Sequence, residues 1–219
     1  MPAELALHRG RAWYDVVKPI VDRVLALAGL IALAPVLLVI ALAVRLDSPG
    51  PIIFRQTRLG RHGKPFTMFK FRTMWANADD GPHREAYERF RLARSLADSD
   101  AGTFKLLNDP RVTRVGRFLR ATSLDELPQL VNVLLGEMSL VGPRPPIPYE
   151  AQHYEPRHWN RLSIKPGLTG PWQATARSRV GFEEMVDMDL DYVANCGLWR
   201  DLKILARTVV AVLSRDGAG

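Results

Sequence analysis

The chain has one cysteine, Cys196, in 219 residues. A single thiol excludes an intrachain disulfide and a cysteine-rich metal site, and it is compatible with a reducing compartment. No segment repeats at solenoid periods. The 16 Pro and 16 Gly are scattered, so no low-complexity linker or tail stands out. From Val24 to Val44, VLALAGLIALAPVLLVIALAV, there is no charged or polar side chain. Positive charge, by contrast, is in excess: 30 Lys+Arg against 23 Asp+Glu give a formal net charge of +7. That balance suits an anionic partner such as nucleic acid, a phosphorylated substrate or acidic lipid headgroups, and does not choose among them.

The apolar run would cross a bilayer core as a straight helix at about 1.5 Å per residue. It is too long for the apolar part of a secretory signal and is followed by Arg45-Leu46-Asp47 instead of a small-residue cleavage site. Orientation follows Lys and Arg near the ends of a span. Arg9, Arg11, Lys18 and Arg23 lie before it, and Arg45, Arg55, Arg58, Arg61 and Lys64 after it, so neither side dominates. A hairpin that enters the membrane and returns to the same face, turning near Pro35, would resolve this, because proline removes a backbone donor where a helix bends. A kinked anchor is the alternative. A buried helix of a soluble core is disfavoured, since no face of the run is polar.

After the turn cluster Asp47-Ser48-Pro49-Gly50-Pro51 the pattern becomes strand-like. PIIFRQTRLG and KPFTMFKFRTM flank Gly60-Arg61-His62-Gly63 and predict a β-hairpin. Alternation puts Phe66, Met68, Lys70 and Arg72 on one face. Arg55, Arg58, Lys70 and Arg72 read as a solvated sheet face, or as cations presented to headgroups or a diphosphate. Residues 82–97, 182–195 and 198–213 read as helices. In the last, Leu198, Leu202, Leu205 and Val209 form a stripe with Trp199, Arg200, Lys203 and Arg207 at its margins, which suits either a membrane interface or a helix on the domain core.

The segment that could do chemistry is DPRVTRVGRFLRATSLDELPQLVNVLLGEMSLVGPRPP, residues 109–146. Asp125 and Glu126 are adjacent acids, and Ser123-x-x-Glu126 matches a capping box, which local pattern alone favours. Arg114, Arg117 and Arg120 precede the acids at spacings near one helical turn, and Arg144 follows between Pro143 and Pro145. Paired acids can hold Mg2+, which takes few carboxylates together with substrate phosphate oxygens. Arginine suits bidentate phosphate recognition, and a carboxylate can attack phosphorus directly.

KPIVDRVLALAGLIALAPVLLVIALAVRLDSPGPIIFRQTRLGRHGKPFTMFKFRTM, SLDELPQLVNVLLGEMSLVGPRPP and KPGLTGPWQ, in that order, closely resemble the bacterial sugar transferase family, from about Lys18 onward. These are monotopic polyprenyl-phosphate phosphoglycosyl transferases. The resemblance implies transfer of a sugar 1-phosphate from a nucleotide diphosphate sugar, often a UDP-sugar, to polyprenyl phosphate, initiating polysaccharide or glycoconjugate assembly. It also implies a nucleophilic Asp125 forming an aspartyl phosphosugar, Glu126 beside it, and Mg2+ at Asp125 and Glu126. Arg120, Arg144 and Arg177 fall at phosphate-binding positions, and Pro35 at the break of the membrane helix.

The implied fold class is α+β: a re-entrant membrane helix hairpin, then a small mixed domain with a short β-hairpin and amphipathic interfacial helices. Residues 1–17 would be an N-terminal segment, 18–47 the re-entrant helix and 48–219 the catalytic domain. The implied place is the bacterial inner membrane, monotopic, with the catalytic domain on the cytoplasmic face. The partners are the nucleotide diphosphate sugar, polyprenyl phosphate and membrane lipid, with no nucleic acid and with homo-oligomerisation left open. Two departures stand out: Ala34 replaces the serine common before the helix-breaking proline, and Gly170-Pro171-Trp172-Gln173 replaces a Gly-Trp-x-Gln order.

Asp98-Ser99-Asp100 and Asp189-Leu190-Asp191 spell D-x-D, a pattern frequent by chance; the second lies in a predicted helix, where solvation is expected. His153 and His158 lack helical zinc spacing. The rival functions are a membrane-tethered, non-enzymatic binder of anionic lipid and a glycosyltransferase that releases nucleoside diphosphate.

Overall fold

The computed structural model describes residues 12–79, 81–92, 109–176 and 180–214. It opens with α1 (Ala12–Asp47), 36 residues that continue without interruption through Pro19 and Pro35. Each proline deletes one backbone donor. The run around Pro35 offers no turn residues to use the gap. The expected hairpin, two arms joined by a turn at Pro35, is therefore replaced by one continuous helix. One side of α1 is docked through Tyr14, Asp22, Ala26, Ile40 and Val44, all buried. Their spacings of 8, 4, 14 and 4 residues lie near whole numbers of helical turns and trace a stripe along the helix. The opposite side leaves Ile20, Val24, Leu27, Ile31, Leu38, Val39, Leu42 and Leu46 exposed, an uncovered apolar surface.

The sequence-predicted hairpin forms: β1 (Ile53–Leu59) and β2 (Pro65–Phe71) pair antiparallel with Gln56 opposite Met68. The reversal uses a short turn at Arg61–Gly63 in which His62 and Gly63 both take positive φ. Next comes α2 (Gly81–Leu92), which covers the described part of the helix expected over 82–97. Then follow α3 (Arg114–Thr122), α4 (Gln129–Leu135) and β3 (Ser139–Val141). Two single-turn helices, α5 (Pro148–Ala151) and α6 (Pro156–Trp159), lead to β4 (Gly167–Thr169), which pairs parallel with β3. The chain ends in α7 (Pro171–Thr175), α8 (Phe182–Ala194) and α9 (Leu198–Ser214), the last two within a residue of the sequence prediction. The fold is α+β, as expected.

The central core joins Ala26 of α1, Met68 of β2, Leu130 and Val133 of α4, Val141 of β3, Tyr192 of α8 and Ile204 of α9. A second cluster, Ile40, Val44, Phe71 and Leu119, seats the other half of α1 on β2 and α3. Asn132, fully buried, ties α4 to the free edge of β2. Its Oδ1 accepts from the Phe69 amide at 3.1 Å and its Nδ2 donates to the Thr67 carbonyl at 2.7 Å. α9 packs on the domain core through the buried Asp201 and Ile204, and leaves Trp199, Leu202, Val209 and Val210 exposed. The predicted stripe missed the inward acid Asp201.

Candidate active site

α3 starts where its first amides find acceptors. Thr113 Oγ1 accepts from the Gly116 amide at 3.0 Å, and Asp47 Oδ2 accepts from the Val115 amide at 3.1 Å. Gly116 is obligatory for packing, since a Cβ there would lie 2.1 Å from the Thr73 carbonyl oxygen. The helix ends at Ser123, whose φ of 56° is left-handed, and one tight turn, Leu124–Glu126, separates it from Pro128 and α4. Asp125 and Glu126 thus occupy a stiff elbow between two helices.

The capping-box reading is overturned. Ser123 ends α3, and its side chain makes no cap bond to the following turn. Glu126 Oε1 accepts instead from Lys70 Nζ of β2 at 2.7 Å. Local spacing suggested the cap; the sheet behind the turn supplied a stronger, charged partner.

Asp125 is 8% exposed, and its pKa is pushed up to about 6. Burial is the main cause and the Glu126 charge adds to it, while Lys70 and Arg120 pull the other way. Arg120 donates from Nε to Thr73 Oγ1 at 2.9 Å, which fixes its guanidinium beside the elbow. Its pKa is lowered by burial, an effect opposed by Asp125 and Asp109. Of the three arginines on α3, only Arg120 turns inward; Arg114 and Arg117 are exposed.

Arg144 sits in the loop after β3. The loop is tied down by backbone bonds on two sides: Gly142 N to the Thr169 carbonyl at 3.0 Å, and Leu59 N to the Pro146 carbonyl at 3.0 Å. A Cβ on Gly167 would lie 2.1 Å from Gly142 N, so the GPRP and KPGLTG segments interlock by close backbone approach. Arg58, fully interior, donates from Nη1 to the Pro145 carbonyl at 2.9 Å and from Nη2 to Gln56 Oε1 at 2.7 Å. Burial and then Arg144 push its pKa down to about 10; Glu126 is among the opposing charges. Arg58 therefore ties β1 to the loop, with Glu126 of the elbow within electrostatic reach. Arg144 also borders a small, solvent-open cleft with Tyr87, Phe90, Tyr154, Arg161 and Phe182 on its walls. Arg177, the third expected arginine, lies outside the described residues.

The solvated sheet face is also corrected. Arg58 and Arg72 are each 4% exposed, and Lys70 is paired; only Arg55 is solvated. Arg72 Nη2 donates to the Ser48 carbonyl at 2.6 Å and to Ser48 Oγ at 2.9 Å at the end of α1. Thr73 is the site residue that sequence reasoning passed over, while Lys70 and Arg58 were read there only as a solvated face or as cations for headgroups or a diphosphate. The signal for Lys70 was present: it shares a face with Phe66 and Met68, which have to be covered.

Among the described residues, no group of three or more His, Cys, Asp and Glu could hold a metal by itself. Asp125 and Glu126 supply two carboxylates, one of them buried with its charge incompletely offset. That donor set fits a hard cation that takes its remaining ligands from water and substrate phosphate. His153 Nε2 instead meets Glu88 Oε1 at 2.9 Å, and His158 accepts at Nδ1 from the Glu155 amide at 3.1 Å. Asp98-Ser99-Asp100 lies outside the described residues. Asp189, expected in solvent, is fully buried against Arg161, whereas Asp191 meets Arg200 at the surface.

The family profile of the bacterial sugar transferases matches residues 13–215. An undecaprenyl-phosphate galactose phosphotransferase of Salmonella typhimurium is 45% identical over 197 residues, 90% of this chain and 40% of that protein. A UDP-glucose:undecaprenyl-phosphate glucose-1-phosphate transferase of Caulobacter vibrioides is 45% identical, covering 95% of this chain and 74% of that protein. An exopolysaccharide production protein of Sinorhizobium fredii is 41% identical, covering 90% and 85%. The chain spans about two fifths of the length of several curated relatives it matches, the Salmonella protein among them. With the profile covering nearly every described residue, the chain belongs to the bacterial sugar transferase family.

Proposed function

We propose that the chain moves a sugar 1-phosphate from a nucleotide diphosphate sugar, with a UDP-sugar as expected donor, to polyprenyl phosphate. The observation that carries this reading is Asp125: a buried carboxylate in a rigid elbow, with Lys70 and Arg120 beside it and its pKa at about 6. It is ionised at neutral pH and poorly solvated, the state a nucleophile needs. The name of the Caulobacter relative supports these donor and acceptor classes, and that of the Salmonella relative supports the acceptor and the phosphotransfer.

In the proposed sequence an Asp125 oxygen attacks the phosphorus that bears the sugar. The bond from that phosphorus to the bridging oxygen breaks, and nucleoside monophosphate leaves with the electron pair. The acceptor phosphate of the polyprenyl carrier then attacks the aspartyl phosphosugar, and Asp125 leaves as carboxylate. Lys70, Arg120 and Arg144 offset the charge that builds on the phosphoryl oxygens, with Arg177 as a further candidate. Mg2+ held by Asp125 and Glu126 would supply Lewis-acid stabilisation of those oxygens when bound.

The proposed setting is the cytoplasmic face of the inner membrane, with residues 18–47 as the membrane segment and 48–219 as the catalytic domain. α1 has mean hydropathy 2.9 over its most apolar stretch, and both of its ends contact one domain. Contact of both ends with one domain supports a helix that does not cross the membrane, with re-entry near Pro35 as the proposed arrangement. The reaction is tested by supplying labelled nucleotide sugar and polyprenyl phosphate. Release of nucleoside monophosphate and a label that stays on denatured protein are expected. Release of nucleoside diphosphate would establish the glycosyltransferase alternative.

A further inference from the structure

The first turns of α1 carry a row of polar side chains four residues apart, Tyr14, Lys18 and Asp22, that continues into the fully buried Ala26. On a helix these positions face one way. They meet acceptors and donors from β3, α8 and α9. Tyr14 Oη donates to Asp201 Oδ2 at 2.9 Å, and Lys18 Nζ donates to the same oxygen at 2.8 Å. Tyr192 Oη donates to Asp201 Oδ1 at 2.5 Å, and Ser139 Oγ donates to Asp22 Oδ2 at 2.7 Å. Lys18 also reaches Asp22 at 3.6 Å. Tyr14, Asp22, Ser139, Tyr192 and Asp201 are all buried. Asp201 Oδ2 and the Asp22 carboxylate are thus served by partners across the interface between α1 and the domain, while Tyr192 holds Asp201 Oδ1 from within the domain.

The other end of α1 is pinned separately, through Asp47 on the α3 amide and Arg72 on the Val44 and Ser48 carbonyls. Between the two pins the outward face is Leu27, Ile31, Leu38 and Val39. The charge rule does not orient this helix, because four basic residues precede the apolar run and five follow it. Something other than flanking charge has to keep the N-terminal turns from crossing. If they crossed, the buried Asp201 would lose its only cation in the cluster, and Asp22 would lose its serine. Removing one partner of a buried ionic contact is among the more disruptive changes a fold can suffer.

We infer that the cluster of Tyr14, Lys18 and Asp22 with Ser139, Tyr192 and Asp201 is a topology clamp. It holds the N-terminal turns of α1 on the domain's side of the membrane, where flanking charge alone leaves the orientation undecided. The inference rests on the re-entrant reading of α1 proposed above. It makes α9, far away in sequence, a positioning element for the membrane helix.

The test uses the full chain with Cys196→Ser and Trp13→Cys, expressed in cells and probed with a membrane-impermeant maleimide before and after permeabilisation. With the clamp intact, Cys at 13 should react only after permeabilisation; labelling from outside would overturn the re-entrant reading itself. Asp201→Ala should raise outside labelling from background to a third or more of the molecules. Protection in that variant, with the purified protein still folded, would overturn the clamp while leaving re-entry standing. Should Asp201→Ala not accumulate, a milder pair of variants decides the matter. Arg9→Gln with Arg11→Gln tilts the charge rule toward an outside N-terminus, and the clamp should still hold it inside. Adding Tyr14→Phe and Asp22→Asn should then release it. Equal labelling with and without these last two changes would overturn the clamp.

Discussion

Asp125 and Asp189 are both buried aspartates, 8% and 0% exposed, and burial pushes the carboxyl pKa of each upward. Their partners differ. Asp189 Oδ2 accepts from Arg161 Nε at 2.8 Å and from Nη2 at 2.6 Å, and the same guanidinium is held from its far side by Tyr154. One fixed cation answers one anion, and no substrate is needed. At the elbow, Lys70 is committed to Glu126 and Arg120 to Thr73, so Asp125 feels both charges while forming no salt bridge among the described residues. The first arrangement is a directly paired ion pair inside the fold. In the second, two cations stand beside the carboxylate without pairing to it, where the proposed reaction would bring a phosphate.

The largest effect expected is at Asp125. Asp125→Asn should cut turnover by roughly 1,000-fold or more, measured as nucleoside monophosphate release, and abolish the denaturation-stable label. The same change should stabilise the fold. A carboxyl raised from 3.8 to about 6 is held charged at a cost of up to about 3 kcal/mol. The folded state binds more proton than the unfolded between those values, so stability falls as pH rises through that window and stays reduced above it. Asn removes the cost, and its Tm at pH 8 should exceed that of the parent. A lower Tm would mean Asp125 is structural after all, and the contrast with Asp189 would collapse. Asp189→Asn should do the opposite, losing about 3–5 kcal/mol because Arg161 is left buried without its anion. Denaturant unfolding reads that loss, and activity per folded molecule should be retained.

The two aspartates also mark what the sequence makes legible. Helices α8 and α9 and the β-hairpin follow from periodicity and turn residues, and motif order singles out Asp125 and Glu126 without showing the elbow that holds them. The burial of Asp189 does not, because its partner lies 28 positions away in a 3-10 turn after α6. Spacing along one helix cannot report a charge supplied from another element. The same holds for Glu126, whose neighbours suggested a cap while its partner, Lys70, lies on β2. Arg58 and Arg72 looked solvated because strand alternation marks which face a residue occupies, not what covers it. The continuity of α1 through Pro35 was hidden for a different reason: proline deletes one bond, and the apolar residues around it hold the rest of the ladder.

Smaller effects sharpen the contrast at its edges. Lys70→Met removes the leading influence that holds the Asp125 pKa down. The carboxylate should then ionise only at higher pH, and the acid limb of kcat/KM should move upward from near 6. The rate lost at pH 6.5 should be partly regained at pH 8; a uniform loss at all pH values would make Lys70 a positioning residue for Glu126 alone. The least effect is expected where charges pair without burial. Arg157 meets Glu183 at 2.7 Å and Asp187 at 2.8 Å, with side chains 45%, 61% and 63% exposed. Water screens such pairs, so Arg157→Ala should change stability by no more than about 0.5 kcal/mol and leave turnover unaltered. A loss near that of Asp189→Asn would show that distance between partners, not burial, governs these ion pairs. The distinction between Asp125 and Asp189 would then have to rest on geometry alone.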